Sequence, residues 1–419
     1  MGDVIATYEI AARGDVARAA AVLAGEQSSG TFTAVARESD RIRRDHGAEV
    51  LSIEPLEPGP PALPGSVGTG PPARARVRVR FPLVNFGPSL PNLLTTVAGN
   101  LFELRDLAAV RLADLDLPAE FAARYPGPAF GVDGTRRLMG GPPDVMIGTI
   151  IKPSVGLTLD ELRQVVRELG MAGIDFIKDD ELIGDPPYAP LRERVPAVLD
   201  ELKRVADATG KLPMYAFNIT DDLDAMPRHH DLVLSAGGTC VMVVAPILGL
   251  AGVEYLRRRS ALPIHGHRAG FGAVTRDPRL GLGFPAFQQA ARLAGLDHLH
   301  TGGLNSKFYE DNDSVVRSVE AMRRPLFAAQ AEPVPGAYAA LPVLSSGQTP
   351  ATAAPTYERL GGTDLLVLAG GGIHGHPGGV AEGVAAMRQA WEAAAAGVPV
   401  AEYAAARPAL ARALEAFGR

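Results

Sequence analysis

The feature that most constrains the fold is a repeat of structural units without a repeat of residues. From Asp144 onward, short β-branched apolar runs recur: DVMIGTII, IDFIKDDE, LPMYAFNIT, TCVMVVAPILG, LPIHGHR, LDHLHTGG, LPVLSSG and DLLVLAGGG. Between them lie stretches of helical period such as LTLDELRQVVRELGMAG and PLRERVPAVLDELKRVADATG. Strands joined through helices pair in parallel, and eight such units close a (β/α)8 barrel whose active site lies at the C-terminal ends of its strands. The sequence therefore predicts an α/β chain with a barrel over residues 141–419. Residues 1–140 read as a separate, ferredoxin-like α+β domain. Its expected parts are helical ARAAAVLAGE and strands GTFTAVA, EVLSIEPLE and RARVRVRFPL, the last alternating with period two as a half-buried antiparallel strand does. LLTTVAGNLFELRDLAAVRL reads as a helix leading to the barrel, and PGPPALPGSVGTGPP as a surface connection.

Charge and composition exclude several classes of partner. The net charge of −6 comes without a basic block, which argues against nucleic acid and membrane surfaces. The opening MGDVIATYEIAARGD carries charges where a secretory leader needs apolar residues, and no apolar run approaches the ~20 residues that span a bilayer. A single cysteine, Cys240, fits a reducing compartment. A cytoplasmic protein is expected.

Lysine is scarce: 36 of the 41 basic residues are arginine, leaving Lys152, Lys178, Lys203, Lys211 and Lys307. Codon bias accounts for the scarcity but not for the positions. An amine can lose its proton or react, which a guanidinium does not do. Lys203 and Lys211 bracket a helix end and are expected to be solvated; the other three fall at strand ends or in glycine-rich loops.

In IDFIKDDE, a strand's period of two puts Phe176, Lys178 and Asp180 on one face and Ile177 and Asp179 on the other. Asp180 and Glu181 then stand at the barrel mouth as oxygen ligands of the kind Mg²⁺ prefers. Lys178 is either their salt-bridge partner or a reactive amine. The company at other strand ends favours the second reading: Lys152 in GTIIKPSVGL, His265 and His267 in HGHR, His298 and His300 in DHLHTGG, and Lys307 in the loop that follows. Gly370, Gly372 and Gly375 also fit a dinucleotide fingerprint, but no later strand supplies the acidic residue such a site needs. Loops after strands seven and eight commonly cradle phosphate, so Ser346, Gly347, Gly371 and Gly372 are its expected donors.

These segments resemble the large chain of RuBisCO over nearly the whole length. IKPSVGL is similar to that family's KPKxGLS segment, FIKDDE to its metal-site strand, HGHRAG to its HxHRA segment, and DHLHTGG with Lys307 to its strand six and mobile loop. SSG and GGG resemble its phosphate turns, AGEQSSGTF its ESSTGTW, and AGNLFEL a further N-terminal segment. The resemblance implies that Lys178 reacts with CO₂ to form a carbamate that completes a Mg²⁺ site with Asp180 and Glu181. It further implies Lys152 as acid/base, His267 as a second proton-transfer group, and Lys307 as a loop residue closing over substrate. Arg268, His300 and Ser346 would grip one phosphate, while Thr31 and the strand-eight glycines hold the other end. Glu26, Thr31, Phe32 and Asn100 would reach the barrel of a neighbouring subunit, giving a homodimer with shared active sites.

Departures from the family pattern bear on function. Ser154 stands where RuBisCO has a second lysine in KPK, HRAGF puts Phe271 in place of a polar residue, and Gln348 takes the third position of the SGG turn. A kept metal site inside an altered shell is similar to the RuBisCO-like proteins (form IV) and not to a carbon-fixing enzyme. The expected activity is decarboxylation of a β-keto sugar-acid phosphate of the 3-oxo-isoapionate 4-phosphate type. A ketose-phosphate isomerase or enolase of the 5-methylthioribulose 1-phosphate type, and a sugar-phosphate-binding protein without catalysis, are the alternatives.

Overall fold

Alternating residues in the first strand explain why it lies inside a sheet. In the computed structural model, which describes residues 2–30, 35–141, 145–327 and 336–418, Val4, Ala6, Tyr8 and Ile10 of β1 (Asp3–Ala12) are buried on one side. The strand pairs antiparallel with β3 (Ala73–Pro82) on one edge and β4 (Ala109–Asp116) on the other, and β2 (Glu49–Leu56) pairs with β3. On β3, Ala75, Val77, Val79 and Phe81 are buried, while the intervening arginines face carboxylates: Arg76 to Glu9 at 3.1 Å, Arg78 to Asp116 at 3.1 Å and Arg80 to Asp3 at 2.8 Å. The half-buried reading of RARVRVRF holds. LLTTVAGNLFELRDLAAVRL is not one helix: Leu90–Ala98 is helical, Asn100–Glu103 is a 3-10 turn, and the remainder enters β4. Gly99 interrupts it, and Val110 and Leu112 alternate with polar residues to bury one face of a strand. The expected strand GTFTAVA falls largely outside the described residues.

Compactness divides the chain into two units. The first joins Met1–Gly127 with Gly270–Ala294 and Arg324–Tyr338; the second comprises Pro128–Ala269, Gly295–Arg323 and Ala339–Arg419.

The second unit holds a closed parallel barrel of β5 (Met146–Ile150), β6 (Phe176–Lys178), β7 (Met214–Asn218), β8 (Cys240–Val244), β9 (Ile264–His267), β11 (His298–Gly302), β12 (Leu341–Leu344) and β13 (Leu366–Leu368). In chain order β10 (Leu280–Leu282) intervenes, but it pairs in parallel with β4 and completes the sheet of the first unit in the order β10-β4-β1-β3-β2. Phe176, Met214, Cys240, Met242, Val343 and Leu366 fill the barrel interior. Burying each such side chain contributes about 2 kcal/mol, and together they leave no room for a pore.

Local signals start and stop the connecting helices. Thr158 and Glu161 form a capping box at the start of Leu159–Met171, worth about 1 kcal/mol. Gly173, at φ +78°, turns the chain out of that helix toward β6. Below the strands Asp175 accepts from Ile147 N–H at 2.8 Å, and it pairs with Lys211 at 2.5 Å and Arg388 at 3.0 Å. Lys211 is thus an ion-paired clamp, contrary to the solvated lysine expected; Lys203 is exposed. No helix among the described residues is long and apolar enough to cross a membrane.

Candidate active site

The end of β6 divides its carboxylates between two faces, as the period-two register requires. Asp179 turns away from the barrel axis, where its carboxylate accepts from Tyr215 Oη at 2.6 Å, Arg194 at 3.2 Å and Asn218 N–H at 2.9 Å. Arg194 is wholly buried and also donates to the Ala189 and Gly184 carbonyls. Sequence reading missed this brace, because an arginine on a helix gives no sign of being buried. With Asp179 held, Lys178, Asp180 and Glu181 are placed at the mouth.

Lys178 has no solvent exposure; its Nζ donates to the Asp179 carbonyl at 2.8 Å and lies 3.4 Å from Glu181 Oε2. Burial pulls the pKa of this amine down, against the opposing pull of Glu181 and Asp180. Lys152 Nζ lies 2.8 Å from Asp180 Oδ2 and 2.6 Å from Ser154 Oγ. Burial would raise Asp180, but the Lys152 hydrogen bond and the Leu182 N–H outweigh it and hold the carboxyl below its ordinary range. Burial would raise Glu181 too, but Lys178, and His267 while its ring is protonated, pull the carboxyl below its ordinary range.

His267 faces Glu181, with Nε2 at 3.4 Å from Oε2, and its Nδ1 accepts the Ala269 N–H at 3.1 Å. A ring that accepts at Nδ1 carries its proton on Nε2 when neutral. Burial, with Lys178 nearby, lowers His267 to about 4, so at neutral pH the ring facing Glu181 is uncharged.

Among the described residues no three His, Cys, Asp or Glu side chains gather as a metal-holding group. What gathers is two carboxylates around a buried amine of lowered basicity. That donor set fits Mg²⁺ if the amine becomes an oxygen donor, which is what a carbamate makes of it.

The turns after β12 and β13 approach each other. A Cβ on Gly372 would come within 2.3 Å of the Gln348 carbonyl oxygen, so only glycine allows this contact. A Cβ on Gly370 would sit 3.7 Å from Lys152 Cε, so the second turn runs beside the acid/base candidate; one on Gly371 meets nothing within 4 Å. Ser346 adopts φ +72°, and its buried Oγ has no partner among the described residues. Gly347, at φ +73°, lies against the backbone of Ser306 and Lys307, and Lys307 itself is exposed with Nζ 5.5 Å from the Phe308 ring centroid. Arg268 is paired with Glu310 of the same loop. Both nitrogens of His300 are engaged, Nε2 with His265 at 2.8 Å and Nδ1 with Ser345 Oγ at 3.0 Å. Sequence reading passed over Ser345, although it adjoins Ser346, and Glu310, although it follows Lys307 by three residues.

In the first unit, Glu26 ends the helix Val16–Glu26 and Asn100 opens the 3-10 turn Asn100–Glu103. With its side-chain amide turned so that the nitrogen faces the Thr96 carbonyl, the orientation that satisfies both ends, Gln27 ties the two segments, donating to Thr96 O at 2.7 Å and accepting from Leu101 N–H at 2.9 Å and Asn100 N–H at 3.2 Å. Thr31 and Phe32 lie outside the described residues. Phe271 is buried, its ring 4.6 Å from that of Phe287 and 6.2 Å from that of Phe284, so its immediate role is packing.

Family models agree with this architecture. Residues 131–417 match the ribulose bisphosphate carboxylase large chain catalytic domain and residues 1–121 match its N-terminal domain. The chain belongs to the RuBisCO large-chain family. A 3-oxo-isoapionate-4-phosphate transcarboxylase/hydrolase of Xanthobacter autotrophicus is 51% identical over 98% of this chain and 98% of its own. A 3-oxo-isoapionate-4-phosphate decarboxylase of Rhizobium etli is 42% identical, again over 98% of each. The crystal structure of a RuBisCO-like protein from Burkholderia fungorum superposes with a TM-score of 0.91 at 44% identity, covering 100% of both chains. These matches place the chain among the RuBisCO-like enzymes and bear out the α/β barrel and α+β architecture.

Proposed function

We propose that this chain removes the carboxyl group of a phosphorylated β-keto sugar acid of the 3-oxo-isoapionate 4-phosphate type. The observation that carries the reading is the crossed pairing at the barrel mouth, Lys152 with Asp180 and buried Lys178 with Glu181. It sets one amine to move protons and the other to be modified.

In that reading neutral Lys178 adds to CO₂: an N–C bond forms, a proton leaves, and the amine becomes an anionic oxygen donor. Mg²⁺, when bound by that carbamate with Asp180 and Glu181, supplies fixed positive charge for a developing enolate oxygen. Ser346, Gly347, Gly371, Gly372 and Arg268 take phosphate, with Glu310 leaving Arg268 as the anion arrives. The bond between carboxyl and α-carbon breaks, its electron pair passes toward the keto oxygen, and CO₂ departs. Lys152 Nζ then delivers a proton to the α-carbon, giving a ketose phosphate. His267, facing Glu181, serves as a second proton-transfer group, and Lys307 closes over the ligand. Glu26, Thr31, Phe32 and Asn100 complete the site from a second copy of the chain, as the family resemblance implies.

A second reading is favoured by the 51% identity to a transcarboxylase/hydrolase. There the same bond breaks, but the enolate recaptures the carboxyl group at another carbon and water cleaves the product. Incubation of the purified enzyme with 3-oxo-isoapionate 4-phosphate separates the outcomes. CO₂ with a ketose phosphate shows decarboxylation; two shorter acids without net CO₂ show transfer and hydrolysis; unchanged substrate contradicts both.

A further inference from the structure

A chain of buried rings runs through the barrel interior from a hydroxyl at its base. Thr135, on the helix Gly131–Leu138, is fully buried, and its Oγ1 lies 2.5 Å from the Gly131 carbonyl and 2.8 Å from His298 Nε2. The helix start is anchored by Asp297, which accepts from Phe130 N–H at 2.6 Å and Gly131 N–H at 3.0 Å. His298 Nδ1 meets His265 Nδ1 at 3.3 Å, His265 Nε2 meets His300 Nε2 at 2.8 Å, and His300 Nδ1 meets Ser345 Oγ at 3.0 Å. Phe176 packs on two of these rings, at centroid distances of 5.2 Å to His265 and 6.0 Å to His298.

The protons in such a chain are not independent. A hydroxyl has one proton and a neutral imidazole one N–H. A carbonyl can only accept, so Thr135 gives its proton to Gly131 O and must receive one from His298 Nε2. His298 Nδ1 is then an acceptor, and His265 donates to it from Nδ1. His265 Nε2 is left as an acceptor for the Nε2–H of His300. His300 Nδ1, in turn, accepts from the Ser345 hydroxyl. Burial keeps these rings neutral, with His298 lowered to about 3.

We propose that Thr135 sets the tautomers of His298, His265 and His300, and so commits the Ser345 proton inward and leaves this hydroxyl only lone pairs to offer a ligand at the mouth. Thr135 is a positioning residue, and Ser345 selects a ligand group that donates, a sugar hydroxyl in preference to a phosphate or carboxylate oxygen. The ligand half of this proposal rests on the carboxyl-removal reading above; the tautomer half does not.

The test is side-chain ¹⁵N–¹H correlation NMR of ¹⁵N-histidine-labelled protein, assigned by single histidine substitutions. The wild type is expected to show Nε2–H on His298, Nδ1–H on His265 and Nε2–H on His300; a proton on Nδ1 of His300 overturns the proposal even if no variant folds. Thr135→Val should abolish the single pattern and Thr135→Ser restore it, while Ser345→Ala leaves His298 and His265 as they were. An order lost in Ser345→Ala but kept in Thr135→Val overturns it. Thr135→Val should raise KM for 3-oxo-isoapionate 4-phosphate by roughly tenfold, the effect of about one well-formed hydrogen bond; an unchanged KM overturns the link to Ser345. Absence of turnover by the wild type would sink the carboxyl-removal reading and leave the tautomer pattern to be judged by NMR alone.

Discussion

Lys152 Nζ and Asp180 Oδ2 lie 2.8 Å apart, joining the residue read as proton donor to one read as a metal ligand. Lys152→Met should therefore lower kcat by about 10²–10⁴-fold, the usual contribution of a positioned acid or base, with a smaller change in KM. Steady-state kinetics decide this. A variant within threefold of wild type would remove Lys152 from the mechanism.

Much of this site is legible in the sequence, because a strand's alternation is simple geometry. Phe176, Lys178 and Asp180 share a face, and Asp179 points the other way, as IDFIKDDE predicts. What the sequence hides is pairing at a distance. The three-residue β10 is too short to carry a pattern, and it is a strand because β4 is beside it. Thr135 and Ser345 carry no spacing signal, since their roles come from rings on two other strands. β1 does alternate legibly; its opening residues draw attention first for their charge, and Tyr8 Oη finds its partner only at Val97.

Ribulose bisphosphate carboxylation should be undetectable, and Ser154→Lys alone should not create it. Ser154 Oγ lies 2.6 Å from Lys152 Nζ, but Phe271 and Gln348 also depart from the RuBisCO pattern, so restoring a lysine at 154 alone leaves the shell altered. Labelled CO₂ entering phosphoglycerate would contradict this.

Acid stability follows from the buried rings. His298 has a folded pKa of about 3 against about 6.5 when unfolded, so between these values the unfolded chain binds more protons. Its contribution, on the order of a few kcal/mol, is present above pH ~6.5 and lost as pH falls toward 3. Denaturant unfolding across that window should show a shallower pH slope in His298→Asn than in wild type; equal slopes would show that His298 titrates alike in both states.

The proposed sharing of each site between two copies of the chain is tested by complementation. Lys178→Ala and Asn100→Ala, each inactive alone, should regain about a quarter of wild-type activity after random subunit exchange, because half the dimers carry one intact site. No recovery despite demonstrated exchange would place both residues in one chain's site.

Activity should require Mg²⁺ and rise on preincubation with bicarbonate, and Lys178→Arg should abolish turnover and with it the bicarbonate activation, because a guanidinium forms no carbamate. Full activity of that variant, or of wild type in EDTA, would reduce Lys178 to an ion-pair residue.

The most direct measurement follows ¹³C placed in the carboxyl group of 3-oxo-isoapionate 4-phosphate by NMR during turnover. The label is predicted to leave its original carbon, appearing as CO₂ and bicarbonate or as the carboxylate of a new acid. A label still bonded to that carbon, while the enzyme converts the rest of the molecule, would contradict carboxyl removal.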